Sequence, residues 1–130
     1  AIIQSGTAEW IAVGFNTAFS GGGPIAISLA LFVLTLFLTS FITNAAAISI
    51  VFPLAYALGS DMGANAEGFY LTIAFAASCA FLTPMGYQTN LMVMGPGGYR
   101  MKDFARIGVP MTLLYALISL TFVWIKFGWI

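Results

Sequence analysis

The sequence predicts an all-α membrane protein, and its composition and charge distribution carry that prediction. Of its 130 residues, 61% are apolar and 6% are charged, whereas about 25% of a typical soluble domain is charged. The four basic and four acidic residues are too few for a water-facing surface, and so apolar a chain is not disordered. A net charge of zero leaves no phosphate-neutralising patch, so a nucleic-acid partner is excluded as well.

The residue types present also limit the chemistry. The chain has no histidine, so the usual general base and an imidazole zinc site are missing. Its one cysteine, Cys79, lies in an apolar run and is interpreted as a small buried packing residue. The four acidic residues lie outside the long charge-free runs, which disfavours an enzyme that works inside the membrane. The sequence therefore predicts neither an enzyme nor a bound cofactor.

Residues 1–20 are predicted to form an interfacial helix, because large apolar residues recur there with a weak helical periodicity. Those residues are Trp10, Ile11, Val13, Phe15 and Phe19. The chain begins at Ala1, with neither a methionine nor a signal-peptide pattern. We therefore expect a fragment of a longer membrane protein.

A re-entrant helical hairpin is predicted over residues 24–58. The stretch 10–60 carries no charge, Gly21-Gly22-Gly23-Pro24 ends any preceding helix, and a polar break near residues 39–44 divides the remainder of the stretch into two arms. The second arm, 45–58, would reach about 21 Å at the rise of an α-helix, which is short of a hydrocarbon core about 30 Å thick. A hairpin that enters partway and returns to the same side fits this length better than two full spans.

The second long charge-free stretch, residues 68–99, predicts a transmembrane helix that is broken near its middle. Its first part, 68–83, is apolar and rich in small residues, and Pro84 is expected to end it. An uncharged but polar loop, 85–90, separates this part from a short apolar piece, 91–94. A first half of about 24 Å places the break deep in the membrane.

The last transmembrane helix is predicted over residues 104–128. Residues 107–125 carry no charge, which is the length of one simple span, and Pro110 is expected in the first turn of that span. Basic residues precede it and indicate that this loop faces the cytoplasm; they are Arg100, Lys102 and Arg106. The opposite face then holds the acidic residues Glu9, Asp61 and Glu67.

Two polar breaks in the apolar runs, Thr43-Asn44 and residues 86–90, each precede the N-terminus of a helix. Helix N-termini attract anions, and the free carbonyls at the end of a half-helix suit a cation such as sodium. Discontinuous helices with such ends are typical of secondary transporter sites. The plainer interpretation is that Asn44 and Asn90 only N-cap helices and that the glycines only form turns.

Three segments carry more specific motifs: Ser-Phe-Ile-Thr-Asn-Ala-Ala-Ala at 40–47 with Pro53 downstream, Phe-Leu-Thr-Pro-Met-Gly-Tyr-Gln-Thr-Asn at 81–90 with Gly95, and residues 103–108. They resemble the hairpin tip, the unwound loop of the penultimate helix and the start of the last helix of the divalent anion:sodium symporters. These are the citrate, dicarboxylate and sulfate carriers of the ion transporter superfamily. The resemblance implies the C-terminal part of an inverted-repeat transporter fold, whose other repeat supplies a mirror-image hairpin and broken helix.

The resemblance also implies a binding site. A sodium ion would be held by Thr39, the carbonyl of Ile42, Asn44 and the carbonyl of Gly86. The substrate would contact Thr43, Asn44, Tyr87, Gln88, Thr89 and Asn90. The chain departs from the family pattern at both motifs, because Ser-Asn-Thr is Thr43-Asn44-Ala45 here and Thr-Pro-Pro-Asn is Tyr87-Gln88-Thr89-Asn90. These departures disfavour a dicarboxylate and resemble the sulfate-associated branch.

By this resemblance we expect a secondary active transporter that couples sodium to a divalent or carboxylate anion, sulfate or a dicarboxylate, by alternating access. Its partners would be the anion, sodium, the lipid bilayer, the N-terminal repeat of the same protein and a second copy in a homodimer. A multi-pass location in a cell membrane, the bacterial inner membrane, is expected for such a carrier. The alternative is a non-transporting membrane subunit of a larger complex, which a second hairpin and broken helix upstream would exclude.

Overall fold

The computed structural model describes residues 13–14, 17, 22–62 and 66–130. Over 22–62 and 66–130 the regular elements are helices, and no strand occurs in those ranges. The helices are α1 (Gly23–Thr39), α2 (Asn44–Met62), α3 (Ala66–Ser78), α4 (Gln88–Met94) and α5 (Met101–Lys126). The all-α prediction is confirmed for this part of the chain. The interfacial helix predicted for residues 1–20 falls almost wholly outside the described residues.

The core lies between the two hairpin helices and α3. Each of these three helices presents buried side chains to the other two. These side chains are Ile27 and Leu31 of α1, Val51, Leu54, Ala55 and Leu58 of α2, and Phe69 and Ile73 of α3. In a lipid solvent, close packing of this kind rather than the exclusion of water holds helices together. The hairpin and α3 therefore form one packed unit.

The final helix, α5, packs on the outside of this unit and runs antiparallel to α3. Trp129, just beyond the C-terminal end of α5, stacks on Phe69 near the start of α3, with ring centroids 5.0 Å apart. Towards the other end, Gly108 packs on the backbone of Phe81, which follows the end of α3. Among the described residues, α5 is the one helix long and apolar enough to span a membrane.

Charged side chains separate along the axis of α5. Arg100 precedes its first turn, Lys102 and Arg106 lie in its first two turns, and Glu67 lies in the first turn of α3, at the opposite end of the bundle. Lys126, in the last turn of α5, joins Glu67 at that end. Asp103 also lies in the first turn of α5, so each end carries both signs of charge, and the topology stays a prediction.

The first half of the broken helix is shorter than expected. α3 ends at Ser78 rather than at residue 83. Pro84 accounts for part of this difference, because it has no N–H to donate to the carbonyl four residues earlier. The rest comes from another element, since the Ala77 carbonyl accepts a hydrogen bond from the Thr39 hydroxyl at 2.9 Å. The break is therefore longer than the sequence predicts, and it lies against the hairpin tip.

The second arm of the hairpin is longer than expected. α2 continues past its predicted end to Met62 and passes through Pro53. The apolar part of α2, Asn44–Ser60, and α1 have 17 residues each, which is about 25 Å of helix. Arms of this length distinguish a re-entrant hairpin from two full spans less clearly than the predicted arm of 14 residues.

The depth of the hairpin tip can be judged against α5. The break that contacts the tip packs on Gly108, about 10 Å along α5 from Met101. The tip thus stops short of that end of α5, and the re-entrant hairpin stays a prediction.

The position expected for Pro110 needs a correction. α5 begins at Met101, so Pro110 lies inside the helix and not in its first turn. The earlier start has a local cause, because the Asp103 carboxylate accepts a hydrogen bond from the Arg100 N–H at 2.8 Å and closes the first turn. Pro110 removes one helical hydrogen bond, to the carbonyl of Arg106, whose side chain is exposed.

Candidate functional site

The hairpin tip, the break between α3 and α4, and the second turn of α5 meet at one place. A Cβ atom built on Gly86 would lie 2.6 Å from the Thr39 carbonyl oxygen, and one built on Gly108 would strike the backbone of the break. Both positions need glycine, because only a residue without a side chain lets the backbones approach this closely. We call the contact between residues 39–44 and residues 77–86 the tip–break junction.

Thr39 lies at the centre of the tip–break junction. It is the last residue of α1, and its side chain is fully buried. Its Oγ1 lies 2.8 Å from Oδ1 of Asn44 and 2.9 Å from the carbonyl oxygen of Ala77. A hydroxyl has one proton and can donate to only one acceptor, so the second contact needs either a turned Asn44 amide or a positive charge among the three oxygens. Neutral oxygens at the end of a half-helix are a typical setting for sodium in transporters.

The other two predicted sodium ligands, the carbonyls of Ile42 and Gly86, belong to the two sides of the junction. Gly86 is buried and Ile42 is partly buried. In the part of the chain that the structure describes, no backbone N–H from outside the helices donates to either carbonyl. The described part of the chain also contains no cluster of His, Cys, Asp or Glu that could hold a metal. A cation here would therefore be held by neutral oxygens.

Thr43, and not Asn44, occupies the N-cap position of α2, which corrects the cap interpretation of Asn44. The Thr43 Oγ1 accepts a long hydrogen bond from the Ala46 N–H at 3.4 Å, and its carbonyl accepts the first helical bond, from Ala47, at 3.0 Å. Asn44 is the first helical residue, and its side chain turns back to Thr39. Thr43 is exposed, so the positive end of the α2 dipole is accessible at the tip.

The second set of predicted substrate residues comes directly after the junction, because Tyr87 is next to Gly86 in the chain. Tyr87 precedes α4 in an extended conformation, and α4 begins at Gln88. Tyr87, Gln88 and Thr89 are exposed, whereas Asn90 is partly buried and lines a cavity of about 300 Å³ together with Asp103 at the start of α5. Accessible polar side chains thus continue from the junction into α4.

Two residues of the junction, Ala77 and Thr83, were not identified from the sequence. The Ala77 carbonyl takes part because α3 ends there, and no local pattern marks that end. The Thr83 hydroxyl donates to the Ser40 carbonyl of the tip. Thr83 did carry a signal, since it is a hydroxyl residue immediately before Pro84, inside an apolar break.

The match to a family model covers nearly the whole chain. The model of the sodium:sulfate symporter transmembrane region matches residues 2–130. The chain belongs to this family. The sodium:sulfate symporter family is one of membrane transporters and not of enzymes, and the resemblance carried by the motifs at 40–47 and 81–90 is confirmed.

Individual relatives that are named as transporters align with most of the chain. An uncharacterized transporter of Synechocystis sp. is 38% identical over 128 residues, which are 98% of this chain and 21% of the relative. Sodium/sulfate cotransporter 1 of Chlamydomonas reinhardtii is 33% identical over 98 residues, 75% of this chain and 11% of the relative. The sodium-dependent dicarboxylate transporter SdcS of Staphylococcus saprophyticus is 29% identical over 113 residues, 87% of this chain and 22% of the relative. The chain spans about a fifth of the length of the first of these relatives, and no solved structure matches it.

Proposed function

We propose that the full-length protein is a sodium-coupled anion symporter of the cell membrane that works by alternating access. This chain supplies one hairpin, one broken helix and the last helix of its transport domain. The observation that carries the proposal is the position of the Thr39 hydroxyl, which is buried between two acceptor oxygens, those of Asn44 and Ala77. With the Asn44 amide oxygen facing Thr39, three oxygens share one proton, and a cation among them would stabilise the arrangement.

The proposed sodium site consists of Thr39, Asn44 and the carbonyls of Ile42 and Gly86. Neither side of the junction has a charged residue, because residues 10–60 and 68–99 contain none. The charge of a bound sodium ion is therefore not compensated by these two stretches of the chain. An anion bound nearby would supply the compensation, so each ion should favour the binding of the other.

The proposed anion site lies at the exposed N-terminus of α2. Its N–H groups and the Thr43 hydroxyl can donate to an oxyanion, and the helix dipole favours negative charge there. The anion site would be completed by the residues that follow Gly86 in the chain, which are Tyr87, Gln88, Thr89 and Asn90. Relatives named for sodium/sulfate and for sodium-dependent dicarboxylate transport support a divalent anion, and the departures from the dicarboxylate motifs favour sulfate.

The rest of the protein is proposed to contain the second repeat. Large apolar side chains are exposed along the outer faces of α1 and α5; among them are Val33, Phe37, Leu113, Leu117 and Phe122. Lipid and the N-terminal repeat would cover these faces in a multi-pass protein, and a homodimer would cover others.

The test is uptake of labelled sulfate and labelled succinate by the full-length protein in liposomes, with a sodium gradient or an equal potassium gradient. We expect sodium-dependent sulfate uptake that exceeds succinate uptake. Dominant succinate uptake would retain the symporter and reject the sulfate assignment. Absence of sodium-dependent uptake of either anion would reject the proposal and favour a non-transporting subunit.

A further inference from the structure

Thr83 is neither a proposed sodium ligand nor a proposed anion contact, yet its hydroxyl donates a hydrogen bond from the break to the hairpin tip. We propose that Thr83 is a positioning residue, whose hydroxyl fixes the backbone of the tip so that the sodium ligands there keep their geometry. This inference rests on the proposed function, because it assigns Thr83 a role in the same sodium site.

The two sides of the tip–break junction exchange hydrogen bonds. The Thr39 hydroxyl of the tip donates to the Ala77 carbonyl at the end of α3, and the Thr83 hydroxyl of the break donates to the Ser40 carbonyl at the end of α1. The last carbonyls of a helix have no intrahelical partner, so each hydroxyl satisfies a carbonyl that the other element leaves open. Ser40 is 4% exposed, so water is a poor substitute for Thr83.

The geometry of the sodium site depends on this exchange because the tip is short. Ser40 immediately follows α1, and Ile42 lies two residues further along the chain. The N–H groups of Phe41 and Ile42 both donate to the Leu38 carbonyl, which is a contact within the tip itself. The hydrogen bond that joins the backbone of the tip to the break is the one accepted by the Ser40 carbonyl. Without the Thr83 hydroxyl the buried carbonyl would turn towards another donor, and the Ile42 carbonyl would move with it.

Loss of the Thr83 hydroxyl should affect the binding of sodium and the binding of the anion differently. The anion donors proposed at Thr43 and the N-terminus of α2 belong to the next element, where Thr43 accepts hydrogen bonds from the N–H groups of Ala46 and Ala47. Loss of the Thr83 hydroxyl should therefore raise the sodium requirement, while the sulfate KM at saturating sodium stays near its wild-type value.

The experiment measures the sodium concentration for half-maximal sulfate uptake by the full-length protein. Thr83→Val removes the hydroxyl with little change of shape, and Thr83→Ser retains it. Thr72→Val is the control, because Thr72 is buried and its hydroxyl bonds to the Gly68 carbonyl within α3, at 2.8 Å, and not to the hairpin tip. We expect Thr83→Val to raise the half-maximal sodium concentration roughly threefold to tenfold, as loss of a buried hydrogen bond predicts. Thr83→Ser and Thr72→Val should stay close to wild type.

Each other outcome overturns the inference. If Thr83→Val reaches the membrane and keeps the wild-type sodium dependence, the hydroxyl does not position the site. If Thr83→Val is not inserted, Thr83→Ala and Thr83→Ser form the second pair, and equal sodium dependence in these two has the same meaning. Loss of both hydroxyl-free variants from the membrane would make Thr83 a folding residue. Failure of the proposed function is distinguishable from all of these, because the wild-type protein would then show no sodium-dependent uptake.

Discussion

Replacement of Thr39 by valine tests the proposed sodium site most directly. The side chain of Thr39 is fully buried, so water cannot replace the oxygen that valine lacks. The change removes the partner of the Ala77 carbonyl at 2.9 Å and of the Asn44 side chain at 2.8 Å. A hydrogen bond to a charged group contributes roughly 1.5–3 kcal/mol. Loss of an oxygen ligand of similar strength should lower the affinity for sodium by about one to two powers of ten.

The assay is the sodium dependence of sulfate uptake by the full-length protein, with Thr35→Val as the matched control. Thr35 is also fully buried on α1, but its hydroxyl bonds to the Leu31 carbonyl of its own helix, at 2.7 Å. We expect Thr39→Val to raise the half-maximal sodium concentration by about tenfold to a hundredfold and Thr35→Val to leave it nearly unchanged. If Thr39→Val accumulates in the membrane normally and needs no more sodium than wild type, Thr39 is not a ligand and the junction is not the sodium site.

Three further predictions test the junction and its orientation. Asn44→Ala should raise both the half-maximal sodium concentration and the sulfate KM, because coupled ligands affect each other reciprocally; normal values for both in uptake assays would make Asn44 a structural residue only. Gly86→Ala should lower thermal stability by roughly 1–3 kcal/mol through overpacking, since its Cβ would lie 2.6 Å from the Thr39 carbonyl, whereas Gly95→Ala, with open space around its Cβ, should be neutral. In a cysteine-free background, an impermeant thiol reagent applied to intact cells should label a cysteine at position 67 and spare one at position 100; the reverse pattern would invert the topology.

The order of helices could be predicted from the sequence because charges, glycines and prolines mark it locally. Charge-free stretches, Pro24 and Pro84 were enough to separate the hairpin, the broken helix and the last helix. The end of α3 at Ser78 could not be predicted, because it depends on the Thr39 hydroxyl, which lies 38 residues earlier in the chain than its Ala77 partner. The continuation of α2 past residue 58 was missed because the next residues, Gly59, Ser60 and Asp61, are of types that are common in loops.

The candidate site shows the same division between local and distant information. The polar residues of both breaks stood out in an apolar sequence, and the resemblance assigned the sodium site to Thr39, Asn44 and the carbonyls of Ile42 and Gly86, an assignment that stays a prediction. Their contacts could not, because the bond of Thr83 to Ser40 joins residues 43 positions apart. The assignment of the α2 cap also changed for this reason: Asn44 is the better N-cap by preference, but its side chain has a tertiary partner, and Thr43 takes the cap.

The absence of charged residues from both sides of the junction gives a physical reason for the sodium–anion coupling proposed above. A site with a fixed carboxylate would bind sodium without the anion, and one with a fixed lysine or arginine would bind the anion without sodium. Residues 10–60 and 68–99 contain neither; the acidic side chain of Asp103 lines the cavity beside Asn90 but is not among the proposed sodium ligands. Two opposite charges roughly 5 Å apart attract each other by about 3 kcal/mol at an effective dielectric constant near 20, which corresponds to a change in affinity of roughly a hundredfold. Sodium bound by Thr39 and Asn44 would therefore supply the charge that the anion lacks at the N-terminus of α2, and the anion would do the same for sodium. In the proposed symporter, the empty and the doubly occupied states would then be the favoured ones, which is the condition for symport without leakage of either ion alone.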